Sequence, residues 1–297
     1  MCTIEEALKL HAQRGGGVGS DNHCIDGKSA DSKNTSNREE ALFDAELLLG
    51  HVLGRDRTYL KTWPEKLLTD EQFQTYIELI KLRNEGRPVA HLLGYRYFWT
   101  LELYVSPSTL IPRPDTEILI EAALAQTFPS DATVLDLGTG TGAIALSLAS
   151  EQPGWLVTAS DVFPEVVELA KKNAEHNKLE QVSIICSSWF DAFEGRKFNL
   201  IVSNPPYIDP LDPHLSHGDL RFEPASALVA DDHGMADIRH IVQASLNHLL
   251  SDGWLMIEHG YLQGELVRAS FKANGFDQVK TILDFGNNER VTMGQKL

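Results

Sequence analysis

The chain has 297 residues, 42% of them hydrophobic and 23% charged, enough for a real core divided between one medium and one small domain. Its 42 acidic against 26 basic side chains leave a net charge of −16, which repels phosphate backbones and disfavours nucleic acid as a partner. No apolar run is long enough to span a membrane, and the first residues carry early acidic groups and no apolar core of a secretory signal. Cys2, Cys24 and Cys186 are scattered, which excludes a disulfide framework and a cysteine zinc site and fits a reducing cytoplasm.

In chain order, residues 4–12 read as a short helix. The stretch from Gly15 to about Asn37 is rich in Gly, Ser, Asn and Asp with almost no large apolar residue, and is expected to be a mobile loop. A second helix is expected over 39–54, where Leu42, Ala45, Leu48, Leu49 and Val52 form a stripe at helical spacing. Thr69 to Gln72 reads as a cap opening a third helix, with Phe73, Tyr76, Ile77 and Ile80 on one face. Residues 1–86 are thus expected to form a small helical domain.

Across 87–110 the period changes. Tyr97, Trp99, Leu101 and Leu103 alternate with partly polar neighbours, which suggests a linking hairpin. From about 131 onward, short β-like runs alternate with helical ones. The runs are 133–137, 155–160, 182–186, 198–203 and 254–258; helical patterns cover 142–151, 164–177 and 235–250. Such alternation implies a parallel sheet covered on both faces. Residues 279–285 and 290–294 read as an added strand pair, and the whole of 111–297 as one α/β domain.

The first of these strands runs straight into Gly138-Thr139-Gly140-Thr141-Gly142. Glycines permit a tight turn and let a ligand approach the backbone closely. Asp161 ends the second strand, where a carboxylate can accept hydrogen bonds from two ribose hydroxyls. The loop also fits a dinucleotide fingerprint through Ala143, so both NAD and the adenosine of S-adenosylmethionine suit it.

At the end of the fourth strand stands Asn204-Pro205-Pro206-Tyr207. Two prolines remove backbone donors and stiffen the loop, in the place where open α/β sheets bind ligands. An Asn oxygen and a proline carbonyl can accept both hydrogens of a planar NH2 while the tyrosine ring stacks on its flat face. Acceptors pulling on both N–H bonds favour positive charge on the nitrogen as a methyl group arrives. The combination points to methyl transfer onto an amide or exocyclic amine, and away from NAD.

With these residues the chain resembles the HemK/PrmC methyltransferases, which modify the glutamine of the Gly-Gly-Gln motif in peptide chain release factors. The likeness runs from about Ala41 to the end. It includes Phe98-Trp99, Ile111 to Glu117, Gly138 to Gly142, Asn204 to Tyr207, Arg221 to Pro224 and Asn288 to Val291. The Asn-Pro-Pro-Tyr motif is shared with adenine-N6 DNA methyltransferases, whereas Ile-Pro-Arg-Pro-Asp-Thr-Glu is much more specific. The resemblance implies a Rossmann-like class I S-adenosylmethionine-dependent methyltransferase domain, with a seven-stranded mostly parallel sheet, and a helical N-terminal domain that docks the release factor. It implies that Gly138, Thr139, Gly140, Thr141, Gly142 and Asp161 hold the cofactor, that Trp189 flanks the adenine, and that Asn204 lies near the reacting methyl. Asn204, Pro205, Pro206 and Tyr207 would hold the substrate amide, with Phe98 and Arg113 lining the same cleft.

His214 and His217 stand at a spacing seen in metal ligands, but no carboxylate motif accompanies them and methyl transfer needs no metal. Glu258-His259 reads as a strand end near the cleft mouth. The expectation is therefore a cytoplasmic protein-glutamine methyltransferase using S-adenosylmethionine, with no membrane and no direct nucleic-acid partner. An adenine-N6 DNA methyltransferase is the alternative, and a non-catalytic binder of the cofactor a distant third.

Overall fold

A computed structural model describes residues 2–14 and 30–297. The chain divides into two compact units, residues 1–94 with 213–222, and residues 95–212 with 223–297.

The first unit is helical: α1 (Ile4–Arg14), α2 (Ala30–Leu53), α3 (Arg57–Thr62), α4 (Asp70–Asn84) and α5 (Val89–Leu93). Thr69 and Gln72 form a reciprocal capping box at the start of α4, and the Asp56 side chain caps α3. These satisfy N–H groups that a helix start otherwise leaves unpaired. Ile4, Ala7, Ala45, Leu48, Leu49, Leu60, Leu68, Tyr76 and Ile80 make the core. The expected loop over 15–37 needs correcting, because α2 already begins at Ala30; the rest of that expectation, 15–29, lies outside the described residues. The unit also extends past the expected boundary at 86. Residues 89–93 are helical and end at Gly94, in the left-handed conformation (φ 80°) of a helix C-cap.

The second unit opens with a hairpin, β1 (Tyr95–Phe98) and β2 (Leu101–Tyr104). The inward face is not the alternation expected from sequence. Trp99 and Thr100 form a two-residue turn, so Phe98 pairs with Leu101 and both point into the core, while Tyr97 is exposed. A two-residue turn puts the residues flanking it on one face.

Next come a 3-10 turn (Pro114–Thr116), α6 (Glu117–Leu124), β3 (Thr133–Leu137), α7 (Ala143–Glu151), β4 (Leu156–Asp161), α8 (Pro164–His176), β5 (Ser183–Cys186) and β6 (Phe198–Ser203). The unit ends with the short α9 (Ala225–Leu228) and α10 (Asp231–Gly234), then α11 (Ala236–Ser245), β7 (Leu249–Glu258), α12 (Gly264–Ala273), β8 (Asp277–Leu283) and β9 (Glu289–Gln295). Seven strands form one sheet in the order β5-β4-β3-β6-β7-β9-β8. The first five are parallel, and β9 inserts antiparallel between β7 and β8.

Alternate residues of the central strands feed two cores. Val134, Leu200, Val202 and Met256 pack with α6, α7 and α8, while Leu135, Ile201, Leu255 and Ile257 pack with α11 and α12. This period of two, with both faces apolar, is what a sheet buried between helix layers requires. β7 starts five residues earlier than its apolar run suggests. Leu249 pairs with Phe198, and an irregularity absorbs Asp252 (φ 62°) and Gly253 before Trp254 meets Leu200.

Candidate active site

The site lies beyond the C-terminal ends of β3, β4 and β6, around the point where the sheet order reverses. A cavity of about 270 Å³ opens there, walled by Gly138 to Thr141, Asp161 to Phe163, Trp189, Asn204 and Pro206, with Leu110, Pro112 and Thr116 from the preceding segment.

The glycine loop needs its glycines. Gly138, Gly140 and Gly142 have φ of 68°, 55° and 86°, in the left-handed region that costs other residues most. A Cβ on Gly140 would meet no atom within 4 Å, so this backbone borders open space. Beneath the loop, buried Asp136 accepts from the Thr139 hydroxyl (2.6 Å) and the Ala145 N–H (3.2 Å). Burial pushes its carboxyl up to about 7, and its Oδ1 has no hydrogen-bond partner among the described residues.

At the end of β4, Asp161 Oδ2 accepts from the Gly140 N–H at 3.0 Å and Oδ1 from the Phe163 N–H at 3.2 Å. Burial raises its pKa against the lowering effect of these bonds. The Val162 N–H is a third backbone donor to the same carboxylate. Trp189, itself at a positive φ of 40°, places its ring against the position a Gly138 Cβ would face, 3.6 Å away.

The loop after β6 is held at both ends. Ser203 Oγ donates to the Leu137 carbonyl (2.8 Å), and Gln263 Nε2 donates to the Tyr207 carbonyl (2.9 Å). Asn204 Nδ2 donates to Thr116 Oγ1 at 3.2 Å, and the Tyr207 hydroxyl reaches Glu258 Oε1 at 3.5 Å. Glu258 is 1% exposed. Burial pushes its carboxyl up to about 7, with hydrogen bonds from Thr116 and Tyr207 and the charge of Arg290 working the other way. Arg290 bridges Asp115 (3.2 Å) and Asp284 (3.0 Å).

Of the residues expected at the site, the structure gathers Gly138, Thr139, Gly140, Thr141, Asp161, Trp189, Asn204 and Pro206 around one cavity. Gly142 is the N-cap of α7, just behind that wall. Pro205 is buried, and Tyr207 packs partly buried against the second core. Phe98, at 2% exposure, belongs to the core formed with Leu101 and Leu103 and does not line the cavity. Arg113 is not on the cavity wall; it is paired with Glu223 Oε2 at 2.6 Å, while Glu223 Oε1 also accepts from the Ile111 N–H. The contacts of Thr116, Asp136 and Glu258 are not legible from sequence, because they are long-range or buried. Among the described residues, no group of His, Cys, Asp or Glu could hold a metal ion, and no helix is long and apolar enough to cross a membrane.

Comparison with known proteins identifies the family. Residues 115–228 match the methyltransferase small domain and residues 33–94 the PrmC N-terminal domain. The chain is 55% identical over 252 residues to the release factor glutamine methyltransferase of Escherichia coli (strain K12), across 85% of this chain and 91% of that one. It is 48% identical over 294 residues to the protein of the same name from Vibrio cholerae serotype O1, across 99% and 96%. A methyltransferase from Pyrococcus furiosus superposes with a TM-score of 0.52 at 19% identity, over 67% of this chain and 90% of that structure, and shares the fold. The chain belongs to the release factor glutamine methyltransferases.

Proposed function

We propose that this protein transfers the methyl group of S-adenosylmethionine to the side-chain amide nitrogen of the glutamine in the Gly-Gly-Gln motif of peptide chain release factors, in the cytoplasm. The observation that carries this reading is the sharing of one cavity by the glycine loop, Asp161 and Asn204. A nucleoside site and an amide acceptor meet there, and the relatives' names agree with it.

The residues present fit the cofactor. Asp161 stands on the cavity wall, its carboxylate held by backbone N–H groups, where it can accept further from the ribose hydroxyls, and its burial makes such donors welcome. The open space before Gly140 admits a ligand against the backbone, and Trp189, Val162 and Phe163 provide apolar surface for an adenine. When bound, S-adenosylmethionine supplies an electrophilic methyl group.

The chain's own residues do the rest. Asn204 and the carbonyls of Pro205 and Pro206 accept the two N–H hydrogens of the glutamine amide, and Tyr207 backs the amide plane. An amide lone pair is delocalised and weakly nucleophilic. Fixed acceptors assist it by stabilising the charge that develops on nitrogen, and by holding the nitrogen in line. The proton then leaves for water, so no dedicated base is required. Arg113, held by Glu223, serves the substrate side of the cleft, and the helical unit supplies docking surface for the release factor.

Mass spectrometry of a release factor incubated with the enzyme and cofactor tests this reading. The expected result is one methyl group on the glutamine of Gly-Gly-Gln. Methylated adenine in DNA with an untouched release factor would favour the alternative.

A further inference from the structure

We propose that Gln263 is a positioning residue that holds Tyr207 in place through a three-way side-chain clasp. The proposal rests on the reading that the Tyr207 ring backs the amide to be methylated.

The loop after β6 has few means of fixing itself. Pro205 and Pro206 have no backbone N–H to give, so the set of its far end depends on the peptide group between Tyr207 and Ile208. That group is gripped from both sides. The Ile208 N–H donates to the Leu228 carbonyl at 2.9 Å, and the Tyr207 carbonyl accepts from Gln263 Nε2 at 2.9 Å. Fixing this peptide plane fixes the backbone of Tyr207, and with it the direction in which the ring leaves the chain.

Gln263 makes two further bonds. Its Nε2 also donates to the His233 carbonyl at 3.2 Å, and its Oε1 accepts from the Gly260 N–H at 2.9 Å. A primary amide has two N–H donors, and both are spent on carbonyls. A backbone N–H can only donate and a carbonyl only accept, so these partners admit one orientation of the side-chain amide. Gln263 stands at the start of α12, yet its side chain does not cap that helix. Its polar atoms go instead to three segments: the loop after β6, the turn before α11 and the turn after β7.

Those segments meet closely. Asp232 and His233 are left-handed at φ of 57° and 54°, followed by Gly234 at 80°. Non-glycine residues keep that conformation where their surroundings over-determine it, and the bond from Gln263 to the His233 carbonyl is one such restraint. A Cβ on Gly234 would lie 2.0 Å from the Tyr207 carbonyl oxygen, and one on Gly260 would lie 3.6 Å from Tyr207 Cδ2. The turn before α11 therefore seats directly against the Tyr207 backbone, and the ring lies along the turn after β7. The Tyr207 hydroxyl reaches Glu258 only at 3.5 Å, too long to set the ring by itself. Gln263 thus controls both the backbone end of Tyr207 and the surface on which its ring rests. A carboxylate in its place would set bare oxygens against two carbonyls.

Two measurements on the full-length protein test the proposal. The first is single-turnover methylation of a release factor. Gln263→Glu keeps the shape and loses both donors; Gln263→Met keeps the length and loses all three bonds. Each is expected to lose roughly ten- to a hundredfold in turnover at saturating substrate, with S-adenosylmethionine affinity unchanged by calorimetry. Placed in a Tyr207→Ala background, Gln263→Met is expected to cost less than about twofold, because the ring through which it acts is gone. The second measurement uses the free protein: the ring resonances of Tyr207 in protein labelled with ¹³C-tyrosine, identified by their disappearance in Tyr207→Phe. They are expected to shift and broaden in both Gln263 variants. Wild-type turnover in Gln263→Glu, an equal loss from Gln263→Met with and without Tyr207, or unmoved Tyr207 resonances overturns the proposal. A wild-type enzyme that leaves the release factor unmodified overturns the functional reading instead, and the resonances of the free protein still decide whether Gln263 positions Tyr207.

Discussion

The Gly140 N–H donates to Asp161 Oδ2 across 3.0 Å, tying the turn after β3 to the end of β4. The bond sets the carboxylate at the cavity wall before any ligand arrives, so part of the ordering cost of binding is already met.

Asp161→Ala should therefore weaken S-adenosylmethionine binding much more than it slows the chemical step at saturating cofactor. The lost hydrogen bonds reach the ribose, which does not change during transfer. Isothermal calorimetry set beside single-turnover rates checks this, and unchanged affinity would remove Asp161 from the cofactor site.

Asn204→Ala should behave in the opposite way. Removing one preorganised group that stabilises developing charge costs about 10²–10³ in rate, while the wall of the cavity contributed by the glycine loop stays intact. Rapid-quench methylation with cofactor binding as the control measures the split.

Two glycines of the same loop should respond differently to alanine. At Gly142 a Cβ would lie 3.0 Å from Leu146 Cδ1 and 3.3 Å from its Cγ, at a φ of 86°. Crowding and backbone strain together predict a loss of about 1–3 kcal/mol. Gly140→Ala meets nothing within 4 Å and carries only the left-handed strain of about 1–2 kcal/mol, but its methyl group enters the space proposed for the cofactor. Thermal unfolding should rank Gly142→Ala as the less stable, and cofactor titration should show Gly140→Ala binding poorly although folded.

Asp136 predicts a pH dependence of stability. Burial raises its folded pKa to about 7, above the roughly 3.9 of an unfolded aspartate. The folded state then binds the proton more tightly than the unfolded one. Its contribution is fully present below about pH 4 and is lost as pH rises toward 7. Asp136→Asn should flatten that part of the wild-type stability profile, measured by denaturant unfolding at intervals between pH 4 and 8. A profile unchanged by the substitution would mean that Asp136 is ionised throughout.

Short-range physics made much of this protein legible. Three glycines between an apolar strand and an apolar helix can only be a tight turn. The apolar run at 198–203 and the helical patterns at 143–151 and 164–176 follow from local sterics and from one-sided or two-sided burial. Thr69 and Gln72 announce a helix start because the orphan N–H groups lie within three residues. The resemblance in the Ile111–Glu117 and Asn204–Tyr207 segments supplied the family.

The tertiary structure decided what depends on distant partners. Thr116 meets Asn204 across 88 positions and Tyr207 meets Glu258 across 51, contacts set by which strands lie side by side. Phe98 sits in the core because a two-residue turn pairs it with Leu101, and a one-residue change of phase in a hairpin sends every side chain to the other face. The polar segment from Ala30 onward joins α2 although its composition favours a loop. β9 lies between β7 and β8, buried on both sides, and β8 is left at the edge. Local propensity is weak where neighbours in space decide burial, and Glu258 meets the Tyr207 hydroxyl only because the fold lays β7 beside β6.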